Sequence, residues 1–154
     1  MRWSPSPHHS DRRGLAPRWI VLHADVSPKE EATESWICSP ASKVSYHVLV
    51  HRDGSRTRFV TDDRAAWACG ESRWGHVVGL NRHSLSLAFA NRHDGKEHLT
   101  ARQIDAAIDQ IDAWRQQFPI EGVLTHAMIA PLRKSDPLRI PNFSVTTFTE
   151  GLRP

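Results

Sequence analysis

Three side chains in this sequence have the chemistry and the placement of metal ligands. His23 closes the apolar run "RWIVLH", His126 closes "GVLTH", and Asp136 follows just before Pro137. Catalytic zinc sites draw three protein ligands from His, Asp and Glu and leave a fourth position for water. Strand ends are good platforms for such a set, because the sheet fixes the ligands while its edge stays open to substrate. The chemistry this supports is hydrolysis, with an activated water and a polarised carbonyl. A His, His, Asp set favours zinc among the divalent ions. Spacing alone leaves other readings open: there is no HExxH helix and no CxxC pair. Each histidine taken singly also suits a surface or satisfied core position, and Asp136 before a proline also suits turn initiation.

The elements that must position these residues follow from the pattern around them. "RWIVLH" at 18–23 reads as a buried strand ending at His23, and "PKEEATESWIC" as a short helix with Pro28 at its first position and acids in its first turn. "KVSYHVLVHRDGSRTRFV" reads as a hairpin turning at "RDGS", and "HSLSLAFAN" at 83–91 as another strand. The clearest helix is "TARQIDAAIDQIDAWRQQF": Thr100 and Gln103 form a capping box, and Ile104, Ala107, Ile108, Ile111, Trp114 and Phe118 recur at helical spacing. Pro119 ends it, and "GVLTH" begins the strand that ends at His126. Strands, a hairpin and a long helix in this order predict an α/β fold, a single domain with a central mixed β-sheet flanked by helices. Residues 1–17, rich in Pro, Ser, Arg and His, read as an irregular arm ahead of a domain at 18–154.

Bulk properties bound the function. A chain of 154 residues suits one domain with a core of its own. Lys and Arg number 20 against 17 Asp and Glu, a net charge of +3. That balance suits an anionic polymer, but the arginines are scattered and no aromatic residues interleave with a basic strand, so nucleic acid is not the expected partner. No run approaches the ~20 apolar residues of a membrane span, so no membrane insertion is expected. No signal peptide is read at the start, which predicts synthesis in the cytoplasm. Cys38 and Cys69 are read as free thiols.

With Tyr46 and the "PLRKSDP" run added, the sequence resembles the zinc-dependent N-acetylmuramoyl-L-alanine amidases of the type 2 family, which include phage lysozymes of the T7 kind and share the fold of peptidoglycan recognition proteins. The stretches that carry the resemblance are "WIVLHADVS", "VSYHVLVHRDGSRTRFV", "AAWACGES", "VGLNRHSLSLAFAN", "LTARQIDAAIDQI" and "LTHAMIAPLRKSDP", in the family's order over about residues 18–137. The resemblance implies a zinc cleft at one edge of the sheet, one Zn2+ held by His23, His126 and Asp136, and catalytic roles for Tyr46 and Lys134. A cation at 134 suits an oxyanion, and the Tyr46 hydroxyl suits a hydrogen bond to the water or to that oxyanion. On the residues alone, Lys134 with Arg133 also suits a solvated pair, and Tyr46 also suits the hairpin's apolar face. The implied activity is peptidoglycan hydrolysis at the amide between N-acetylmuramic acid and L-alanine of the stem peptide. The implied protein is a monomer, and a phage-type endolysin that reaches the cell wall after holin-mediated release is the simplest biology; a cytoplasmic enzyme recycling muropeptides is the other branch, which the glutamate missing at Ala88 weighs against.

Two positions depart from the family pattern. Ala68 stands where many relatives have a histidine in A-W-H-A-G, and Ala88 stands where bacterial relatives often carry a glutamate. These departures support an alternative, a zinc-containing peptidoglycan-binding or regulatory module with little turnover. Trp67 and Trp74 are candidates to stack on sugar or stem peptide, or equally core residues; Asn81 and Arg82 fall in a loop near the expected groove. His47 is expected to face away from Tyr46, to hold the sheet or line the outer site, and not to share the role of Tyr46. His51, His76, His83, His93 and His98 read as surface residues.

Overall fold

Burial along "WIVLHA" sets the architecture, since all six residues of that strand are buried and its two faces must each be covered by something different. In the computed structural model, which describes residues 1–149, fourteen strands and α-helices follow one another. In chain order they are β1 (Arg2–Trp3), β2 (His9–Asp11), β3 (Trp19–Ala24), α1 (Glu30–Cys38), β4 (Val48–Val50), β5 (Arg56–Arg58), β6 (Arg64–Ala66), β7 (Arg73–Trp74), β8 (Val77–Val78), β9 (Ser84–Phe89), α2 (Ala101–Gln117), β10 (Gly122–Thr125), α3 (His126–Ile129) and α4 (Thr146–Thr149). Residues 150–154 of the expected domain lie outside the described residues.

The central sheet runs β1-β5-β4-β9-β3-β10 and is mixed. Only the β4–β5 hairpin is antiparallel within it; β4, β9, β3 and β10 run parallel, and β1 runs parallel to β5. One face carries Ile20, Leu22, Val48, Val50, Leu85, Leu87 and Phe89, packed under Ala107, Ile111 and Trp114 of α2. The helix lies there because its apolar positions recur along one face, and because the Thr100–Gln103 capping box satisfies its first amides. The opposite face carries Val21, Leu49, Leu124 and Ala88, covered by Ile37 of α1, Ile129 of α3 and the loop with Ala68 and Cys69. Both faces of the parallel strands are therefore dry, as such strands require. Among the described residues no helix is long and apolar enough to cross a membrane, and both cysteines are free thiols.

Three expectations need correction. The 1–17 arm is irregular only in part: β1 extends the sheet edge, β2 pairs antiparallel with β6, and Arg12 is buried. Its guanidinium donates to the carbonyls of Asp62, Arg82 and Ser84 at 2.9–3.0 Å, tying the arm to two loops and to the start of β9. Pro28 lies before the α1 N-cap, Lys29, and not in the first turn. The hairpin strand begins at Val48, so Val44 and Tyr46 belong to the segment leading into it.

Candidate metal centre

The parallel register delivers the first two candidate ligands. Thr125 of β10 pairs with Leu22 of β3, so the residues that follow are His23, still on β3, and His126, which opens α3 just past the strand rather than ending it. Both lie at the carboxyl end of the parallel strands, where α/β sheets open their crevices. Asp136 returns from the loop after α3, held there by Ala127, whose N–H donates to the Asp136 carbonyl at 3.0 Å. All three side chains are buried.

Their donor atoms form a small triangle. His23 Nδ1 lies 3.0 Å from His126 Nδ1, His126 Nδ1 lies 3.2 Å from Asp136 Oδ2, and His23 Nδ1 lies 3.6 Å from the same oxygen. Ligands about 2.0–2.1 Å from a tetrahedral ion are separated by about 3.3–3.4 Å, so these edges fit a four-coordinate divalent cation. The remaining nitrogen of His126, Nε2, lies 3.1 Å from the Cys69 carbonyl, which also accepts from Arg133 at 2.8 Å. A ring proton donated to that carbonyl leaves Nδ1 unprotonated and aimed at the centre, the orienting partner that metal-binding histidines use. The Nε2 of His23 is buried with no partner among the described residues.

Electrostatics agree with a cation site. Burial pushes His23 down to about 4, with His126 and Lys134 lowering it further and Asp136 opposing, so the ring is neutral near pH 7. Burial alone would raise the Asp136 carboxyl, but the His126 and His23 rings against it hold it well below the usual carboxylate range. Two imidazoles and a carboxylate thus converge in ligand-ready form.

Tyr46 is half-buried, its ring 5.3 Å from that of His23, and burial with the carboxylates of Asp136 and Asp25 pushes its hydroxyl up. It stays a phenol, a donor. It also lines a groove of about 360 Å³ with Asp25, Val26, Trp36 and Val44, beside the centre. Lys134 is exposed on the ligand loop, near enough for its charge to act on His23. Trp67, Asn81 and Arg82 share a separate groove of about 460 Å³. Trp67 is 36% exposed and donates from Nε1 to Ser10 Oγ at 2.6 Å. Asn81 accepts from the Ala68 and Cys69 amides, so it also shapes the loop that carries the Cys69 carbonyl. Trp74 is 37% exposed on β7 and lines neither groove.

The sequence of a family described as N-acetylmuramoyl-L-alanine amidase, Amidase_2, matches residues 13–139. The chain belongs to this amidase family. The 1,6-anhydro-N-acetylmuramyl-L-alanine amidase AmpD of Escherichia coli strain K12 is 27% identical over 157 residues, covering 86% of this chain and 82% of that protein. The solution structure of Citrobacter freundii AmpD is 26% identical with a TM-score of 0.66, covering 96% of this chain and 87% of that one. A crystal structure of a selenomethionine AmpD derivative is 25% identical with a TM-score of 0.78, covering 96% and 91%.

Within this amidase the departures take physical form. Ala88 pairs in register with His23 and is fully buried beside it, so the strand next to the ligand offers a methyl group and no carboxylate. Ala68 is buried against Leu80 and Ile129. Two histidines read as surface residues are buried: His51, held between Glu30 and Thr57, and His93, against the ligand loop. Sequence reading also missed Arg133, Trp36 and the Cys69 carbonyl, because a backbone acceptor has no signature in residue type and a lone tryptophan or arginine has too many uses.

Proposed function

We propose that this amidase is zinc-dependent and hydrolyses the amide between the lactyl group of N-acetylmuramic acid and L-alanine, with soluble 1,6-anhydro-muropeptides as its preferred substrates. The observation that carries the reading is the triangle of His23, His126 and Asp136 donor atoms within 3.6 Å of one another. The substrate class rests on similarity to AmpD, whose name gives the anhydro sugar.

When bound, zinc supplies Lewis-acid polarisation of the amide carbonyl and a water acidic enough to give hydroxide near neutral pH. The chain's own residues do the rest. His23 and His126 offer Nδ1 and Asp136 offers Oδ2, while the Cys69 carbonyl holds the His126 ring in its ligating tautomer. The Lys134 ammonium faces the charge that develops on the substrate oxygen, and the Tyr46 hydroxyl donates a hydrogen bond to the same oxygen. The groove beside Tyr46, with Trp36 and Val26 on its wall, takes substrate next to the reacting bond.

Ala88 favours a second reading. A member without a carboxylate beside His23 resembles the phage-type branch, and wall lysis is the role that goes with it. Mass spectrometry of products from soluble anhydro-muropeptide and from intact sacculi, each with and without chelator, separates the two. Faster release of L-alanine amino termini from the soluble fragment supports the proposal, and faster release from sacculi supports lysis. No release from either, by protein carrying one zinc, leaves the binding module with little turnover.

A further inference from the structure

We infer that His93 is a positioning residue for the metal centre, a clamp that holds the loop carrying Asp136 through two backbone groups on either side of that ligand. The inference rests on His23, His126 and Asp136 being the ligand set.

His93 lies in the turn after β9, at φ +55°, and is only 7% exposed. Left-handed backbone at a non-glycine residue, with a polar ring turned inward, needs surroundings that hold it there. The backbone side is held by Asn91, whose carboxamide oxygen accepts the His93 N–H at 2.8 Å. Asn91 is itself fully buried, and its own N–H donates to Asp25 Oδ1 at 2.9 Å, on the segment that follows His23. The turn bearing His93 is therefore tied to the same strand end that presents the first ligand.

The ring faces the other way, onto the ligand loop. His93 Nε2 accepts the Arg139 N–H at 3.1 Å, so it carries no proton. The neutral ring's proton then sits on Nδ1, the nitrogen available to the Ser135 carbonyl that lies beside the ring. One imidazole thus holds the third residue after Asp136 by a hydrogen bond and faces the carbonyl of the residue before it. The same loop is fixed from its far side by Ala127 donating to the Asp136 carbonyl and by Leu138 donating to the Ser135 carbonyl at 2.9 Å. Groups that orient a metal ligand without touching the ion commonly change metal affinity about 10- to 100-fold when removed. A carboxylate on a loop depends on such support more than a histidine on a strand does.

The test compares His93→Phe, which keeps the ring's bulk, with His93→Gln, whose amide oxygen and nitrogen can replace the acceptor and the donor. Zn2+ affinity is measured by competition with a chromophoric chelator, and ligand geometry by the visible absorption of the Co2+-loaded protein. Amide hydrogen exchange at Ala127 and Arg139 is followed in metal-free protein. His93→Phe is expected to weaken Zn2+ about 10- to 100-fold, shift the Co2+ bands and speed exchange at both amides, with His93→Gln restoring most of each. Where the Phe variant does not fold, His93→Asn replaces it, since Asn tolerates positive φ but is too short to span both backbone groups. Wild-type affinity, bands and exchange in the Phe or Asn variant overturn the inference, and so does equal loss in His93→Gln. A wild-type protein that binds no Zn2+ sinks the metal reading and the role assigned to His93 within it, whereas exchange in the metal-free variants reports on the loop contact separately.

Discussion

His126 Nδ1 lies 3.0 Å from His23 Nδ1 although 103 residues separate the two in sequence. The β3–β10 register brings the two nitrogens together, by pairing Leu22 with Thr125 immediately before them. The approach of two lone-pair nitrogens and a carboxylate is favourable chiefly when a cation lies between them. His126→Ala should therefore weaken Zn2+ by more than the roughly 100-fold typical of an outer-shell change, and chelator should abolish hydrolysis by the wild type. Stoichiometric zinc retained in His126→Ala, measured by elemental analysis after dialysis, would remove the site.

Lys134 is exposed on the loop that also carries Asp136, so its loss need not disturb the ligands. Lys134→Ala should lower kcat by about 100- to 1000-fold, the usual effect of losing one oxyanion donor, while bound zinc stays at one per chain. An unchanged kcat would make Lys134 a solvated surface residue. Tyr46→Phe should lower kcat with little effect on KM if the proposed hydrogen bond forms in the transition state, since the ring still lines the groove.

His47 gives the protein a pH-dependent stability. Its Nδ1 accepts the Ser86 N–H at 2.9 Å and its Nε2 lies 3.0 Å from the Arg64 carbonyl, so the neutral ring is fully satisfied. Burial, then the neighbouring Arg12 charge, pushes it from 6.5 down to about 3. Between those values the unfolded chain holds a proton that the folded chain lacks. This contribution is complete above pH 6.5 and is lost as pH falls toward 3, at about 1.4 kcal/mol per pH unit. In urea titrations of metal-free protein from pH 7 to pH 4, His47→Gln should show a shallower fall by about one proton. Equal slopes would mean that His47 titrates normally in the folded state.

Arg12 makes the first 17 residues part of the fold. Its guanidinium satisfies three backbone carbonyls in a buried position, and each buried acceptor left alone costs about 1–3 kcal/mol. Arg12→Met should lower the stability measured by urea unfolding by about 3 kcal/mol or more, beyond what loss of a surface arginine would do. A change within about 0.5 kcal/mol would return the segment to the status of a loose arm.

Much of the fold was legible because the signals are local. The capping box and the 3.6-residue period identify α2, and the apolar runs "WIVLH", "SLSLAF" and "GVLT" identify three parallel strands to within a residue or two. Helix and strand periodicity, caps and turn residues act over a few positions, so one sequence displays them. Boundaries that depend on pairing were less visible: Tyr46 alternates like a strand residue, yet the ladder begins at Val48. β1 and β2 are too short to show a period at all.

The sequence by itself determined the ingredients: two histidines at strand ends, an aspartate before a proline, and a lysine and a tyrosine of fitting chemistry. Tertiary structure alone decided that the ligand atoms meet within 3.6 Å, and that Ala88 is the residue beside His23. It also set His93, His51 and Arg12 inward, where the sequence had suggested surface or arm. The physical reason is that a histidine or arginine is equally at home in water and in a buried site that satisfies its donors. Which environment it meets is set by backbone carbonyls and amides brought from distant parts of the chain, and those groups are the same at almost every position.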